Sequence, residues 1–197
     1  MDTHNPYDIS IFIQNIRFSV IHLILRQLLD VAQKMKDTIK ARLFKGDRLR
    51  QKHFHIRPSL LTAGLCSLME KEGHAGAEIC VGYDRRFLSK ESAHWACEVL
   101  AGYGFHPYVI NRSSPTPLIM FTVKRRGMPY GMAVTASHNP AKYNGYKVYG
   151  ADGCQITTEA AAAIQQEIDR IDPFADVHTL DFAEGLASGI IAYIGED

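Results

Sequence analysis

A serine, a histidine and an asparagine follow one another at the end of a short apolar run, in the stretch GMAVTASHNP (131–140). Such a run predicts a buried strand, and Pro140 stops the strand from continuing. Ser137, His138 and Asn139 therefore occupy the loop at the end of a strand. A serine hydroxyl is a poor nucleophile unless a base or a preformed electrostatic site activates it. The chemistry of this stretch thus depends on what surrounds Ser137.

The surroundings do not favour a serine-hydrolase triad. His138 is adjacent to Ser137, and neighbouring loop residues usually point apart; the sequence also contains no Gly-x-Ser-x-Gly elbow. A phosphate on Ser137 fits better. It carries about −1.5 to −2 charges at neutral pH and needs cations or a metal nearby. Candidate cations are Lys147, Arg85, Arg86 and His138, and a magnesium ion would take further carboxylates from elsewhere.

Each candidate taken alone has an ordinary structural explanation. Loop serines and histidines usually make local hydrogen bonds, and Lys147 alone would be a solvated strand residue. Asp84 and Arg86 alone would form an exposed turn pair. A lysine acts as acid or base only when burial or positive neighbours lower its pKa. The functional hypothesis therefore depends on these residues lying together.

The elements that must position these residues alternate along the chain. Strands are predicted over AEICVGY (77–83), FHPYVI (105–110) and GMAVT (131–135), and the helices between and before them over residues 58–73, 90–104 and 118–127. This alternation is typical of a parallel sheet with crossover helices, in which ligands bind beyond the carboxyl ends of the strands. The loops that leave those ends are 84–86, 111–117 and 136–140.

Local signals refine these elements. Ser89 and Thr116 are predicted helix N-caps, and Pro107 predicts an edge or bulged position in the second strand. After the serine loop, two turn dipeptides flank YKVYG (146–150) and precede CQI (154–156), so both predict short strands. Lys147 can then turn back toward Ser137. A last clear helix is predicted over residues 157–171.

Length, composition and charge are those of an ordinary folded domain. The 197 residues are 46% hydrophobic and 22% charged, with a net charge of +1, so no strong field points to nucleic acid, a membrane or an acidic partner. The four cysteines lie in apolar surroundings without zinc-ligand spacing, and we expect buried free thiols in a reducing compartment. These features predict a cytoplasmic protein.

Residues 1–52 differ from the rest and predict a helical extension. The apolar stretch 9–31 is interrupted by polar and charged residues, which argues against a membrane span. Its helical spacing instead predicts an amphipathic helix carrying Ile21, Leu25 and Leu28, and such a helix needs a partner surface. Association through this helix, including a homodimer, is therefore open.

Several of these stretches together resemble the α-D-phosphohexomutases, the family that includes phosphoglucomutase and phosphomannomutase. The stretch 131–140 resembles its active-serine signature, and VGYDRRFLS (81–89) resembles its Gly-x-Asp-x-Arg segment. SSPTP (113–117) resembles its Thr-Pro-rich loop, and residues 143–157 resemble the segment after the active serine. Order and spacing both hold over about residues 54–172.

The resemblance implies a three-layer α/β/α fold with a mainly parallel sheet. It also implies enzymes that move a phosphate between C1 and C6 of a hexose phosphate through a hexose bisphosphate. Ser137 would then be the phosphoserine, with its phosphate also a ligand of Mg²⁺, and Lys147 a general acid/base beside it. The loop residues His138 and Asn139 would touch phosphate or sugar.

Asp84 and Arg86 would support the site from the neighbouring loop and contact substrate or phosphate. The family also opens with a Gly-Thr-Ser-Gly-x-Arg stretch that contributes an arginine near the serine. Here KGDRLRQKHF (45–54) stands in that place, the Thr-Ser-Gly is absent, and Arg50 is the candidate replacement. The resemblance therefore leaves this part of the phosphate site open.

Family members have four domains, and the motifs of the second, third and fourth are absent from these 197 residues. The expected organisation is an atypical extension (1–52), the first domain (53–172), and a linker with the start of a second domain (173–197). We expect little mutase turnover from this chain alone. Two alternatives stay open: a non-catalytic binding or regulatory protein that keeps the fold, and an N-terminal segment that reflects a misassigned start.

Overall fold

The computed structural model describes residues 56–140 and 143–195, with side chains described from residue 58. Predictions that fall on residues 1–55, among them the helical extension and Arg50, lie outside the described residues. The described elements, in chain order, are α1 (Ile56–Lys71), β1 (Glu78–Tyr83), α2 (Ser89–Gly102), β2 (His106–Ile110), α3 (Thr116–Arg126), β3 (Tyr130–Val134), β4 (Tyr146–Gly150), α4 (Thr158–Arg170), α5 (Phe182–Ser188) and β5 (Ala192–Ile194).

The strands form one mixed sheet in the order β4-β3-β1-β2-β5. β1 runs parallel to β2 and β3, and β5 runs parallel to β2, whereas β4 is antiparallel to β3. Both β1 and β3 are almost wholly buried, as expected for continuous apolar runs covered on both faces. The structure confirms the α/β class with a mainly parallel sheet.

Side chains alternate across the sheet and so build two cores. In β1, Ile79, Val81 and Tyr83 pack in the larger core with residues of α1, α2 and α4. Cys80 packs in the smaller core, under Ile119 of α3. This period of two, set by strand geometry, gives helices on both sides of the sheet.

Two local predictions are wrong about how helices begin. Ser89 is the first residue of α2, and the N-cap position belongs to Leu88, whose φ is 57°. The Ser89 hydroxyl instead donates to the Asp84 carboxylate. Thr116 likewise begins α3 after Pro115. A charged acceptor near Ser89 competes with the helix N-terminus for its hydroxyl.

Two strand predictions also differ from the structure. β2 is not an edge strand, since β1 and β5 pair with its two sides. Pro107 is nevertheless tolerated, because the pairing with β5 begins only at Tyr108. The CQI segment forms no described strand beyond a single bridge between Tyr149 and Gln155.

The segment 173–195 is part of this fold, where the sequence predicted a linker and the start of another domain. β5 extends the sheet beside β2. The N–H of Leu180 donates to the carbonyl of Glu98 in α2 (2.9 Å). The ring of Phe182 stacks on His94 with 3.8 Å between centroids. Open backbone groups on β2 and apolar surface on α2 explain why this segment packs here.

The cysteine prediction is right for three residues and wrong for the fourth. Cys66, Cys80 and Cys97 are buried free thiols, and burial raises the pKa of Cys80 to about 12. Cys154 is exposed because it lies in the tight turn that follows β4. None of the described helices is long and apolar enough to cross a membrane.

Packing of the C-terminal segment on α2 predicts the effect of Gly102→Ala. A Cβ atom at Gly102 would lie 2.6 Å from the backbone of His178 and Thr179. We expect a loss of about 1–3 kcal/mol in the free energy of unfolding, because backbone cannot move aside cheaply. In Gly150→Ala, the control, the new Cβ meets only Asp152 Oδ1 at 3.5 Å. Urea unfolding measures both, and equal stabilities would contradict this packing.

Candidate active site

The loops after β1, β2 and β3 meet at one edge of the sheet. The N–H of Asp84 donates to the carbonyl of Val134 (3.2 Å), and the N–H of Ser114 donates to the carbonyl of Tyr83 (2.9 Å). On the other side, the N–H of Thr135 donates to the carbonyl of Gly145 (2.9 Å), which closes the serine loop. Parallel strands place their carboxyl ends together, so residues distant in sequence become neighbours here.

Four hydrogen bonds converge on the carboxylate of Asp84. Its Oδ1 accepts from the backbone N–H of Arg86 (3.0 Å) and the hydroxyl of Ser89 (2.7 Å). Its Oδ2 accepts from Arg86 Nε (2.9 Å) and the hydroxyl of Thr135 (2.7 Å). Partial burial alone would raise the pKa of Asp84, but these hydrogen bonds outweigh it and lower the pKa. The carboxylate is therefore ionised at neutral pH.

Arg86 binds the backbone of the serine loop. Its Nη1 donates to the carbonyls of Pro140 (2.9 Å) and Tyr143 (3.2 Å), and its Nη2 donates to the carbonyl of Ser137. Its side chain is only 13% exposed. The planar fork of a guanidinium suits such a multiple contact. Arg86 thus holds the loop, and few of its donors remain for the phosphate that the sequence assigned to it.

Ser137 is exposed and has a left-handed backbone, with a φ of 54°. Its N–H donates to the hydroxyl oxygen of Thr135 (3.0 Å). Its own Oγ lies 3.4 Å from Nδ1 of His138, although neighbouring loop residues were expected to point apart. Asn139 is exposed and donates its backbone N–H to the carbonyl of Ala136 (3.0 Å). The hydroxyl of Ser137 therefore faces solvent beside His138.

Lys147 lies in β4, opposite Ala133 of β3. Residues opposite each other in an antiparallel pair project to the same face, so Lys147 lies on the side of the sheet that α3 covers. It is half-buried, and its ammonium makes no hydrogen bond or ion pair with another residue of 58–140 or 143–195. The structure thus brings Lys147 beside the strand that leads into the serine loop, without a contact to Ser137.

The two neighbouring arginines serve different loops. Arg86 contacts the serine loop, whereas Nε of Arg85 donates to the hydroxyl of Ser113 (3.3 Å), in the loop after β2. β1 lies between β2 and β3 in the sheet, so adjacent side chains in its loop can reach opposite neighbours. Of these two candidate cations, Arg85 is exposed.

The described residues do not form a magnesium site by themselves. Among them, no group of three or more His, Cys, Asp or Glu side chains is placed to hold a metal ion. Asp84, the carboxylate nearest to the serine loop in the hydrogen-bond network, is already occupied by four donors. Binding of Mg²⁺ through Ser137 stays a prediction that needs ligands outside these residues.

Sequence reasoning missed three members of this network: Ser89, Thr135 and Asn144. Asn144 Nδ2 donates to the carbonyl of Phe87 (2.8 Å), and its Oδ1 lies 3.0 Å from the Ser89 hydroxyl. The available signal was position, because Ser89 is the first residue of α2, Thr135 directly follows the buried β3, and Asn144 lies in the turn before β4. A helix cap explained Ser89, a strand explained Thr135 and a turn explained Asn144 equally well, so their tertiary contacts were not foreseen.

Comparison with known proteins gives a consistent result. A family model described as phosphoglucomutase/phosphomannomutase, alpha/beta/alpha domain I, matches residues 55–174. A phosphoglucomutase of Staphylococcus epidermidis is 39% identical over 93 residues, which cover 47% of this chain and 17% of that protein. A phosphoglucomutase of Staphylococcus aureus is 40% identical over 96 residues, with 48% and 17% covered. The chain spans about a fifth of the length of the curated relatives it matches.

Solved structures agree with the fold. A putative phosphomannomutase from Thermus thermophilus superimposes with a TM-score of 0.54 at 33% identity, covering 56% of this chain and 25% of that one. The open form of the Paramecium phosphoprotein parafusin, described as a phosphoglucomutase, has a TM-score of 0.57 at 17% identity, with 64% and 24% covered. At that identity the second match concerns the fold alone.

The network around Asp84 predicts a pH-dependent effect of Asp84→Asn. We expect a loss of about 2 kcal/mol in unfolding free energy at pH 7, because hydrogen bonds to a charged acceptor are the stronger ones. The folded-state pKa is lowered, so the carboxylate stabilises fully above its unfolded pKa of about 4 and loses this effect as pH falls through the folded value. The difference from wild type should therefore shrink in acid.

Urea unfolding at about pH 7 and pH 3 measures this difference. Asp152→Asn is the control, because among the described residues Asp152 accepts only the backbone N–H of Cys154 (2.8 Å), in an exposed turn. A deficit of Asp84→Asn that is the same at both pH values would contradict the assignment of an ionised, hydrogen-bonded Asp84.

Proposed function

This chain belongs to the phosphoglucomutase/phosphomannomutase family, and we propose that it supplies the family's phosphate-carrying domain, with Ser137 as the phosphorylated residue. The family consists of phosphohexomutases, enzymes of the isomerase class. The observation that carries the proposal is the state of Ser137. Its backbone N–H and carbonyl are both held by neighbours, while its hydroxyl faces solvent at the carboxyl edge of the sheet. This arrangement supports a fixed phosphate carrier that a substrate can approach.

The proposed reaction is a phosphoryl exchange with a hexose phosphate. The bond between phosphorus and Ser137 Oγ breaks and Oγ takes up a proton, while a bond forms between phosphorus and a free sugar hydroxyl, which gives its proton to a base. The hexose bisphosphate then returns its other phosphate to Ser137, so that a phosphate has in effect moved between C1 and C6. Positioning and charge stabilisation supply most of the catalysis in such transfers.

Proton transfer is proposed for Lys147. Its ammonium, which is unpaired among the described residues, and its place opposite Ala133 support this role, since the adjacent strand leads directly into the serine loop. A positioned acid or base contributes about 10²- to 10⁴-fold. His138 and Asn139 are exposed next to Ser137 in the same loop, and we propose that they touch phosphate or sugar. Asp84 and Arg86 keep the loop in place.

Complete turnover is proposed to need more than these residues. The matched relatives are about five to six times as long as the stretch they share with this chain, and the described residues form no metal site of their own. We expect the 197-residue chain alone to convert glucose 1-phosphate only very slowly, even with a bisphosphate primer and Mg²⁺. Ordinary turnover in a coupled assay would contradict this expectation. Four free thiols support a reducing compartment such as the cytoplasm.

Phosphorylation of Ser137 tests the proposal directly. A single transfer needs far less catalytic power than turnover, so long incubation of the purified protein with a hexose 1,6-bisphosphate and Mg²⁺ should place one phosphate on Ser137. Peptide mapping by mass spectrometry locates it. Ser137→Ala should take up no phosphate, whereas Ser113→Ala, which changes a serine of the neighbouring loop, should still be phosphorylated at Ser137. Phosphate on other residues only would contradict the proposal.

A further inference from the structure

The backbone of Ser137 adopts a conformation that needs external support. Among the described residues, Ser137 and Leu88 alone combine a side chain with a positive φ. A non-glycine residue persists in this left-handed region only where its surroundings over-determine it. Serine is not one of the residue types that favour the region. Something around Ser137 must therefore hold it there.

Two neighbours hold the peptide groups on either side of Ser137. The hydroxyl oxygen of Thr135 accepts the N–H of Ser137 at 3.0 Å. The guanidinium of Arg86 donates to the carbonyl of Ser137. Neither contact uses Oγ of Ser137. The backbone is thus fixed on both sides while the reactive group stays available.

The direction of the Thr135 hydrogen bond is set by Asp84. An ionised carboxylate can only accept, so the hydroxyl of Thr135 must donate its proton to Asp84 Oδ2, 2.7 Å away. A lone pair of the same oxygen is then directed to the N–H of Ser137. Thr135 is 7% exposed, so water has little access to replace it. Threonine and serine can make this bridge, whereas valine cannot.

We propose that Thr135 is a positioning residue for phosphoryl transfer at Ser137. Its hydroxyl connects the backbone of Ser137 to the Asp84 carboxylate. This contact sets the direction in which Oγ of Ser137 points out of the loop. The inference rests on the proposed function of Ser137 as phosphate carrier. A displacement of about 1 Å at a reacting group costs about 100-fold in rate. Loss of the Thr135 bridge should cost a factor of that order.

The test compares Thr135→Val, which keeps the shape but removes the hydroxyl, with Thr135→Ser, which keeps the hydroxyl. Phosphorylation of Ser137 by a hexose 1,6-bisphosphate is followed in each, together with hydrogen exchange of the Ser137 amide by NMR. We expect Thr135→Val to be phosphorylated about 100-fold more slowly and to lose protection of that amide. Thr135→Ser should restore both. Circular dichroism checks that each variant is folded.

The outcomes separate this inference from the proposed function. If wild type and Thr135→Val are phosphorylated at the same rate, the role of Thr135 is overturned and Ser137 remains the carrier. If wild-type Ser137 takes up no phosphate, the proposed function itself is overturned. If Thr135→Val does not fold, Thr135→Ser decides alone, because loss of Ser137 amide protection in that variant would overturn the bridge.

Discussion

The ionised carboxylate of Asp84 is the group on which the arrangement around Ser137 depends. A partly buried charge must be satisfied, and the four donors that satisfy it come from three places: its own loop, the first turn of α2 and the end of β3. Each donor is thereby held in position. Through Arg86 and Thr135 the constraint extends to both peptide groups of Ser137. Ser137 keeps an unfavourable backbone conformation because Asp84 holds Arg86 and Thr135 in place.

The sheet topology makes this network possible. β1 lies beside β3 and runs parallel to it, so Asp84 and Thr135 leave the sheet at the same edge. β4 returns antiparallel to β3 and brings Lys147 level with Ala133. On the far side, β5 completes the sheet beside β2. The catalytic candidates thus sit on loops and at a strand end, while buried strands fix the positions from which those loops start.

The sequence was sufficient to predict what local periodicity and family resemblance encode. Buried strands around Cys80 and Met132, the helices between them and the serine loop at the carboxyl edge were all expected, and the structure has them. Contacts between distant residues were not predictable. Thr135 fits the pattern of a strand residue as well as that of a carboxylate donor, and only the pairing of β1 with β3 brings its hydroxyl 2.7 Å from Asp84. The packing of residues 173–195 on α2 depends likewise on surface that no local pattern reveals.

The central claim is that this fold holds Ser137 as a phosphate carrier. The most direct measurement is the intact mass of the protein isolated from its own cells, combined with a peptide map across residues 131–150. The account predicts one phosphate in that peptide, located on Ser137. An unmodified Ser137, with the hydroxyl free in every molecule, would contradict it. The same fold would then have to be explained by binding rather than by phosphoryl transfer.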